Sequence, residues 1–110
     1  MQTQEISMSD LKMAKPLCIL FSNELSDVEE YRIYNSNGVV MTLYNHETGK
    51  ETIVNYDENI WTLLMRLILG AHTVDDYELM ESIISCAMKI ARTKREKKMI
   101  KWFLDVYDST

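Results

Sequence analysis

The most constraining feature of this chain is the segment from Ile60 to Leu69, in which eight of ten residues are apolar. The two exceptions, Thr62 and Arg66, are four residues apart and would form a narrow polar line on an otherwise apolar helix. Such a helix is normally buried on most sides, and ten residues are too few to span a bilayer, which takes about 20. The segment therefore predicts a central core helix that the rest of the chain surrounds.

The residues before this segment have the pattern of antiparallel strands, with β-branched and aromatic residues between turn signals. Leu17–Phe21 is a continuous apolar run, which we interpret as a central strand covered on both faces. Three more strands are predicted at residues 31–34, 39–44 and 51–56. The first turn contains Asn37-Gly38, the strongest short hairpin signal, and in the second turn we expect Gly49 to adopt a positive φ.

Signals for the start and end of helices follow the strands. Asn55 or Asp57 is expected to cap the core helix, and Gly70 is expected to end it. Thr73 is then placed to cap a second helix.

A third helix is predicted because the apolar stripe shifts by roughly 150° after residue 91. Thr93 and Glu96 have the spacing of a capping box, which is a start signal. We therefore place a break near Thr93 and a helix over Lys94–Tyr107. The alternative is one long helix whose second half packs on another subunit.

Together these patterns predict an α+β fold in a single domain over residues 1–110. A polar, partly flexible segment at 1–15, with a short helical turn over Asp10–Ala14, precedes a three- to four-stranded antiparallel meander at 17–56. About three helices follow at 58–107 and pack on the sheet. The predicted core consists of Ile60, Leu63, Leu64, Leu67 and Ile68, surrounded by Ile83, Ile84, Phe103 and Leu104.

The composition, 46% hydrophobic and 26% charged, is that of an ordinary globular protein. Cys18 and Cys86 lie in apolar segments, which favours two buried thiols in a reducing cytoplasm and leaves a disulfide open. The N-terminus lacks the apolar region of a signal peptide. We therefore expect a cytoplasmic protein that does not enter a membrane.

Charge is divided unevenly along the chain, although the net charge is −5. Residues 1–88 carry −9 and residues 89–101 carry +6. The basic residues are Lys89, Arg92, Lys94, Arg95, Lys97, Lys98 and Lys101. Clustered cations bind phosphate backbones by releasing counterions, so this segment is a candidate site for nucleic acid or an acidic protein. The structural alternative is that Lys89 and Arg92 complement the dipole of the second helix, and that the other cations form a solvated face or pair with acids elsewhere in the chain.

A second candidate surface precedes the first hairpin and consists of Glu24, Asp27, Glu29, Glu30, Tyr31 and Tyr34. Carboxylates on a rigid scaffold can imitate DNA phosphates or complement a basic groove, and tyrosine is favoured in protein interfaces. Solvation, helix capping and cross-strand packing are the structural alternatives.

The last predicted helix has more apolar residues than one core contact can bury. Trp102 and Val106 lie beside its main apolar stripe. Soluble monomers seldom expose such a patch, and twofold dimers are the commonest way to cover one. We therefore predict a homodimer with Trp102 at or near the interface.

The sequence contains no catalytic motif. His46 and His72 have no neighbouring nucleophile or metal ligand at a recognised spacing, and there is no phosphate-binding glycine loop, CxxC or HExxH. We predict a protein that is not an enzyme and has no cofactor or metal.

The remaining class is a small interaction protein that binds and modulates a macromolecule. A compact, acidic chain without motifs fits the style of phage-encoded inhibitors of host defence, anti-CRISPR proteins among them, acting in the host cytoplasm on a nucleic-acid enzyme. The alternative is a nucleic-acid-binding regulator that uses the basic segment. Because −9 from the rest of the domain opposes that segment, we expect only weak, salt-sensitive binding to nucleic acid at about 150 mM salt.

Overall fold

The structure, a computed structural model, describes residues 15–35, 38–56 and 58–109. The predictions for most of segment 1–15, including the helical turn, and for the Asn37 and Asp57 positions lie outside the described residues. The described strands are β1 (Cys18–Leu20), β2 (Glu29–Asn35), β3 (Val39–Asn45) and β4 (Glu51–Tyr56). They are followed by helices α1 (Ile60–Thr73), α2 (Tyr77–Ile90) and α3 (Lys94–Asp108). The predicted α+β fold is therefore confirmed.

The strands form one antiparallel sheet in the order β1-β2-β3-β4, so the predicted meander is correct. Ile33 and Met41, which are paired across β2 and β3, face the helices and belong to the core. Their neighbours Arg32 and Thr42 lie on the opposite face, because side chains alternate along a strand. Gly49 has a φ of 69°, as expected for the turn between β3 and β4.

β1 is an edge strand and not the central strand that we predicted. Among the described strands it pairs with β2 alone. Cys18 and Leu20 are buried, whereas Ile19 and Phe21 are exposed. A short apolar run does not by itself reveal how many of its faces are covered, and here α2 packs against one face only.

Cys18 and Cys86 form a disulfide between β1 and α2, with their Cα atoms 5.6 Å apart. The prediction of two free thiols was wrong. Sequence patterning showed that both residues are buried, but 68 positions separate them in the chain. Only the packing of α2 on β1 brings the sulfur atoms together.

Both predicted boundaries of the core helix were wrong. Asn59, not Asn55 or Asp57, is the N-cap of α1, and its side chain accepts a hydrogen bond from Trp61 N at 2.9 Å. The helix continues through Gly70 to Thr73. Asp76 caps α2 in place of Thr73, because its side chain accepts from Leu79 N at 3.1 Å.

α1 is buried on one side only, although its sequence is apolar nearly all round. Leu63, Leu64 and Ile68 are fully buried, whereas Met65 and Leu69 are exposed, the latter by 49%. Leu104, a predicted core residue, is also exposed. α1 packs against α2 and α3, and these contacts leave one side of it exposed, so α1 is not surrounded.

The predicted break near Thr93 is confirmed, and the single long helix is excluded. The Thr93 side chain accepts from Glu96 N, and the Glu96 carboxylate accepts from Thr93 N, each at 3.1 Å. Glu96 also accepts from Trp61 Nε1 at 3.1 Å, which joins the start of α3 to the start of α1.

The C-terminus of α3 lies close to the C-terminus of α1 and to the first half of α2. Ser109 Oγ lies 3.1 Å from His72 Nε2, and Tyr107 OH donates to Glu81 at 2.7 Å. α3 is therefore parallel to α1 and antiparallel to α2, so the last residues of α2 lie beside the first residues of α3.

Candidate interaction surfaces

All the predicted basic residues are exposed and lie at the junction of α2 and α3. We call them the basic surface: Lys89, Arg92, Lys94, Arg95, Lys97, Lys98 and Lys101. Within the described ranges, ion pairs closer than 4.0 Å involve Arg32, His46 and Arg66 only. The basic surface therefore does not pair with acids of the described fold, and its exposure agrees with a solvated face as well as with a contact surface.

The helix dipole accounts for only part of the basic surface. Lys89 and Arg92 lie near the C-terminus of α2, where cations are favourable, and Arg92 donates to the carbonyls of Lys89 and Ala91. Lys94, Arg95 and Lys97 lie in the first turn of α3, where the positive end of the dipole disfavours cations. Stability alone does not explain cations at this end of α3.

Trp102 extends the basic surface along α3. It is 36% exposed and packs edge-on against Phe103, with ring centroids 5.4 Å apart. Arg95 and Lys98 precede it by seven and four residues and so lie on the same side of the helix. An exposed indole beside cations on one side of a helix is an arrangement on which nucleic-acid bases stack. Val106, the other predicted self-association residue, is half-buried against the core.

The predicted acidic surface is divided by the structure. Glu24 and Asp27 are exposed in the loop between β1 and β2, and Glu29 and Tyr31 are half-buried. Glu30 and Tyr34 are 4% and 2% exposed, so they are wrong as partner-binding residues.

Asp76 joins the acidic loop to the start of α2. Its carboxylate accepts from Ser22 Oγ at 2.5 Å, Asn23 N at 3.0 Å and Leu79 N at 3.1 Å. Burial alone would raise the pKa of Asp76, but these hydrogen bonds outweigh it, and the pKa lies below its usual value. Asp75, Glu78 and Glu81 are exposed and lie near Asp76 at the N-terminal end of α2. We call Glu24, Asp27, Glu29, Asp75, Asp76, Glu78 and Glu81 the acidic end.

Glu30 and Tyr34 belong to a hydrogen-bonded network on the face of the sheet that points away from the helices. Arg32 Nε donates to Glu30 at 2.8 Å, and the guanidinium lies 3.6 Å from the centre of the Tyr44 ring. His46 Nε2 lies 2.6 Å from the other oxygen of Glu30.

The same network continues to Glu51. Its Oε2 accepts from Tyr34 OH and Thr42 Oγ1, each at 2.5 Å. The pKa of Tyr34 is raised, mainly because the phenol is buried and secondly because it donates a hydrogen bond to the Glu51 carboxylate. Our sequence analysis missed this network. The polar residues at alternate positions of β2 were a usable signal, because period 2 places them on one face.

In the described part of the chain, His46 has no serine or cysteine within hydrogen-bond distance. His72 has Ser109 at that distance, and the Ser109 hydroxyl also donates to the Val106 carbonyl. Among residues 15–35, 38–56 and 58–109 no group of His, Cys, Asp and Glu side chains could hold a metal ion. None of the helices described here has the length and apolar character needed to cross a membrane.

Comparison of the chain with protein-family models, curated proteins and solved structures produced no match. The functional argument therefore depends on the surfaces themselves.

Proposed function

We propose that the protein acts by binding a macromolecular partner, without chemistry of its own, and that the basic surface is its contact face. The observation that carries this proposal is a group of exposed cations with no carboxylate partner in the described fold, three of them at the positive end of α3. Such an arrangement lowers the stability of the folded state. Features that oppose stability are expected where a function requires them.

Nucleic acid is the partner that this surface fits best. The cations can contact phosphates, and Trp102 can stack on a base. Asp76 at the start of α2 opposes binding less than the net charge suggests, because about 20 Å of helix separates it from Lys89, more than two Debye lengths of roughly 8 Å. Glu81 lies about 12 Å from Lys89 along the helix, within that range, so we expect the binding to be salt-sensitive.

The test compares two double charge reversals. Lys97→Glu with Lys98→Glu removes two contacts from the basic surface, and Lys15→Glu with Lys50→Glu makes the same change in net charge at exposed sites before β1 and in the β3–β4 turn. We expect the first variant to bind a labelled single-stranded oligonucleotide at least about tenfold more weakly and to lower the salt slope by about 0.7 per contact. The control should bind nearly as well as the wild type.

Two results would overturn this assignment. One is the absence of oligonucleotide binding by the wild type at about 50 mM salt, where phosphate contacts are strongest. The other is an equal loss in both variants, which would show an effect of net charge alone.

A second candidate function uses the acidic end. Its exposed carboxylates lie at one end of the molecule and can complement the basic groove of a nucleic-acid enzyme. In that case the protein is an inhibitor of the phage-encoded, anti-CRISPR-like type, working in a host cytoplasm. The test is capture of a protein from a host lysate. Capture by the wild type and by Lys97→Glu with Lys98→Glu, together with its loss in Glu24→Lys with Asp27→Lys, would support this function. The cytoplasmic location stays a prediction. Part of the argument for it was that Cys18 and Cys86 are free thiols, whereas they form a disulfide.

Self-association through α3 also stays a prediction. Trp102 and Leu104 are exposed on α3, and Met65 and Leu69 are exposed on α1. A twofold dimer would remove Trp102 from water. Sedimentation at tens of micromolar should show a dimer that Trp102→Ala dissociates; a wild-type monomer would contradict the prediction.

A further inference from the structure

A cavity of about 390 Å³ lies where the start of α1 meets the start of α3, next to the basic surface. Its apolar lining comes from Trp61, Met65 and Met99, and Arg95 of the basic surface also lines it. Small-molecule sites typically have about 300 to 1,000 Å³ and combine apolar walls with a few polar groups that fix the orientation of the ligand. The cavity is therefore large enough for a planar ring, and Arg95 is placed to contact a phosphate beside it.

Glu96 is a polar group held in one position in this lining. Its Oε1 accepts from the N–H groups of Arg92 at 2.8 Å and Thr93 at 3.1 Å, and its Oε2 accepts from Trp61 Nε1 at 3.1 Å. A carboxylate has about four acceptor sites, two on each oxygen. Oε1 is therefore saturated, whereas Oε2 has one site left in the part of the chain that the structure describes. Glu96 lines the cavity and is only half-buried, so this acceptor is available to a ligand there.

The Glu96 carboxylate is ionised at neutral pH. The hydrogen bonds from the backbone N–H groups of Arg92 and Thr93 hold the pKa of Glu96 below its usual value. An ionised carboxylate accepts hydrogen bonds and donates none. It therefore favours a ligand with N–H groups and disfavours one that turns carbonyl oxygens toward it.

The cavity and Trp102 lie along the same side of α3. Arg95 and Met99, which line the cavity, precede Trp102 by seven and three residues. At a rise of 1.5 Å per residue, Arg95 lies about 10 Å from Trp102 along the helix. A single strand can therefore place one base on Trp102 and another in the cavity, with its phosphates near Arg95 and Lys98.

We propose that this cavity binds a nucleobase with an exocyclic amino group, that is, a base other than thymine or uracil, from single-stranded nucleic acid. The base lies among Trp61, Met65 and Met99. Its amino group donates to Glu96 Oε2, as cytosine N4 does to carboxylates in DNA complexes. Thymine is disfavoured, because the single N–H group of its pairing edge lies between two carbonyl oxygens that the carboxylate repels. The assignment rests on the proposed function, because the basic surface has to hold the strand.

Two labelled oligonucleotides of about 15 nucleotides test this preference on the wild-type protein. One contains thymidine only, and the other has a single deoxycytidine at its centre. We expect the second to bind at least about fivefold more tightly at low salt. Equal affinity for the two overturns the cavity assignment and leaves the basic surface in place. Absence of binding to both overturns the proposed function itself.

Glu96→Gln separates recognition of the base from the stability of the fold. Glutamine can keep the capping box with Thr93, but its amide then presents an NH2 donor in place of Oε2. We expect the variant to lose the preference for deoxycytidine and to bind the thymidine oligonucleotide nearly as the wild type does. Glu47→Gln, at an exposed carboxylate in the β3–β4 turn, makes the same change in charge and should keep the preference. A folded Glu96→Gln that keeps it overturns the assignment.

The indole N–H resonance of Trp61 gives a second measurement on the wild type, which decides if melting curves show that Glu96→Gln does not fold. This N–H donates to Glu96 Oε2, so it shares its acceptor with the amino group of the bound base. We expect the resonance to shift further with the deoxycytidine oligonucleotide than with thymidine alone, whereas the Trp102 resonance should respond to both. A Trp61 resonance that does not distinguish the two oligonucleotides overturns the assignment.

Discussion

The two charged ends of the molecule use their charges in different ways. At the acidic end, Asp76 caps α2 and holds the loop after β1, Glu29 accepts from Ser26, and Glu81 accepts from Tyr107. On the basic surface, the ammonium groups of the lysines make no ion pair with the described residues, and α3 begins with cations against its dipole.

This difference separates charges that build the fold from charges that are available to a partner. A carboxylate with several hydrogen bonds is expected to affect stability when it is removed. An exposed cation with no partner is expected to affect binding instead. Mutations at the two ends should therefore have opposite effects on the free energy of unfolding.

The largest expected effect on the free energy of unfolding comes from removing the disulfide, which joins β1 to α2. The disulfide closes a loop of 68 positions between β1 and α2, and a loop of that length corresponds to about 4 kcal/mol of stability. We expect Cys18→Ser with Cys86→Ser to lower the free energy of unfolding by about this amount in urea titrations.

Hydrogen exchange would show where that stability is lost. In the double variant, β1 and the loop of residues 21–28 should lose protection before α3 does. Unchanged protection of β1 and this loop would contradict a structural role of the disulfide.

Asp76→Ala should have the next largest effect. It leaves the Ser22 hydroxyl and the Asn23 and Leu79 N–H groups without their acceptor, so we expect a loss of about 3 kcal/mol in urea unfolding. Glu78→Ala is the matched control, because it removes an exposed carboxylate from the same helical turn. A loss below about 1 kcal/mol for Asp76→Ala would show that its hydrogen bonds are not structural.

The acidic end should also respond to pH. The pKa of Asp76 is lower in the folded state, so its contribution is fully present above its unfolded pKa of roughly 4 and is lost as the pH falls through the folded pKa. Unfolding measured from neutral to acidic pH should show that the advantage of the wild type over Asp76→Asn shrinks below about pH 4. An advantage that does not change with pH would show that the carboxylate is not the cause.

The smallest expected effect is on the basic surface and has the opposite sign. Lys97→Glu with Lys98→Glu places acids near the positive end of α3, so we expect unfolding to require about 1 kcal/mol more free energy, not less. Thermal melts at low salt would measure it. A destabilised double variant would mean that these lysines support the fold, and the contrast between the two ends would then be lost.

Several elements could be predicted because their signals are local. Turn residues and period 2 identified β2 to β4, and a capping box with a shifted apolar stripe identified the break at Thr93. The exposure of the basic residues also followed from their density, since few cations can be buried together.

Other features depended on which elements pack together, and no local pattern contains that information. The edge position of β1 depends on strand pairing, the disulfide depends on the packing of α2 against β1, and the one-sided burial of α1 depends on its contacts with α2 and α3. The same holds for Asp76, which is one of several acids in the sequence and becomes a structural residue only where Ser22 and Asn23 reach it.

The sequence by itself therefore determined the elements, their order and the uneven division of charge, because periodicity, turn residues and charge are properties of neighbouring residues. Only the tertiary structure decided which charges are satisfied, and which are left for a partner. It also decided that α1 continues through Gly70 and does not end there. Hydrogen bonds and cavities join residues far apart in the chain, and their geometry exists only once the helices have packed on the sheet.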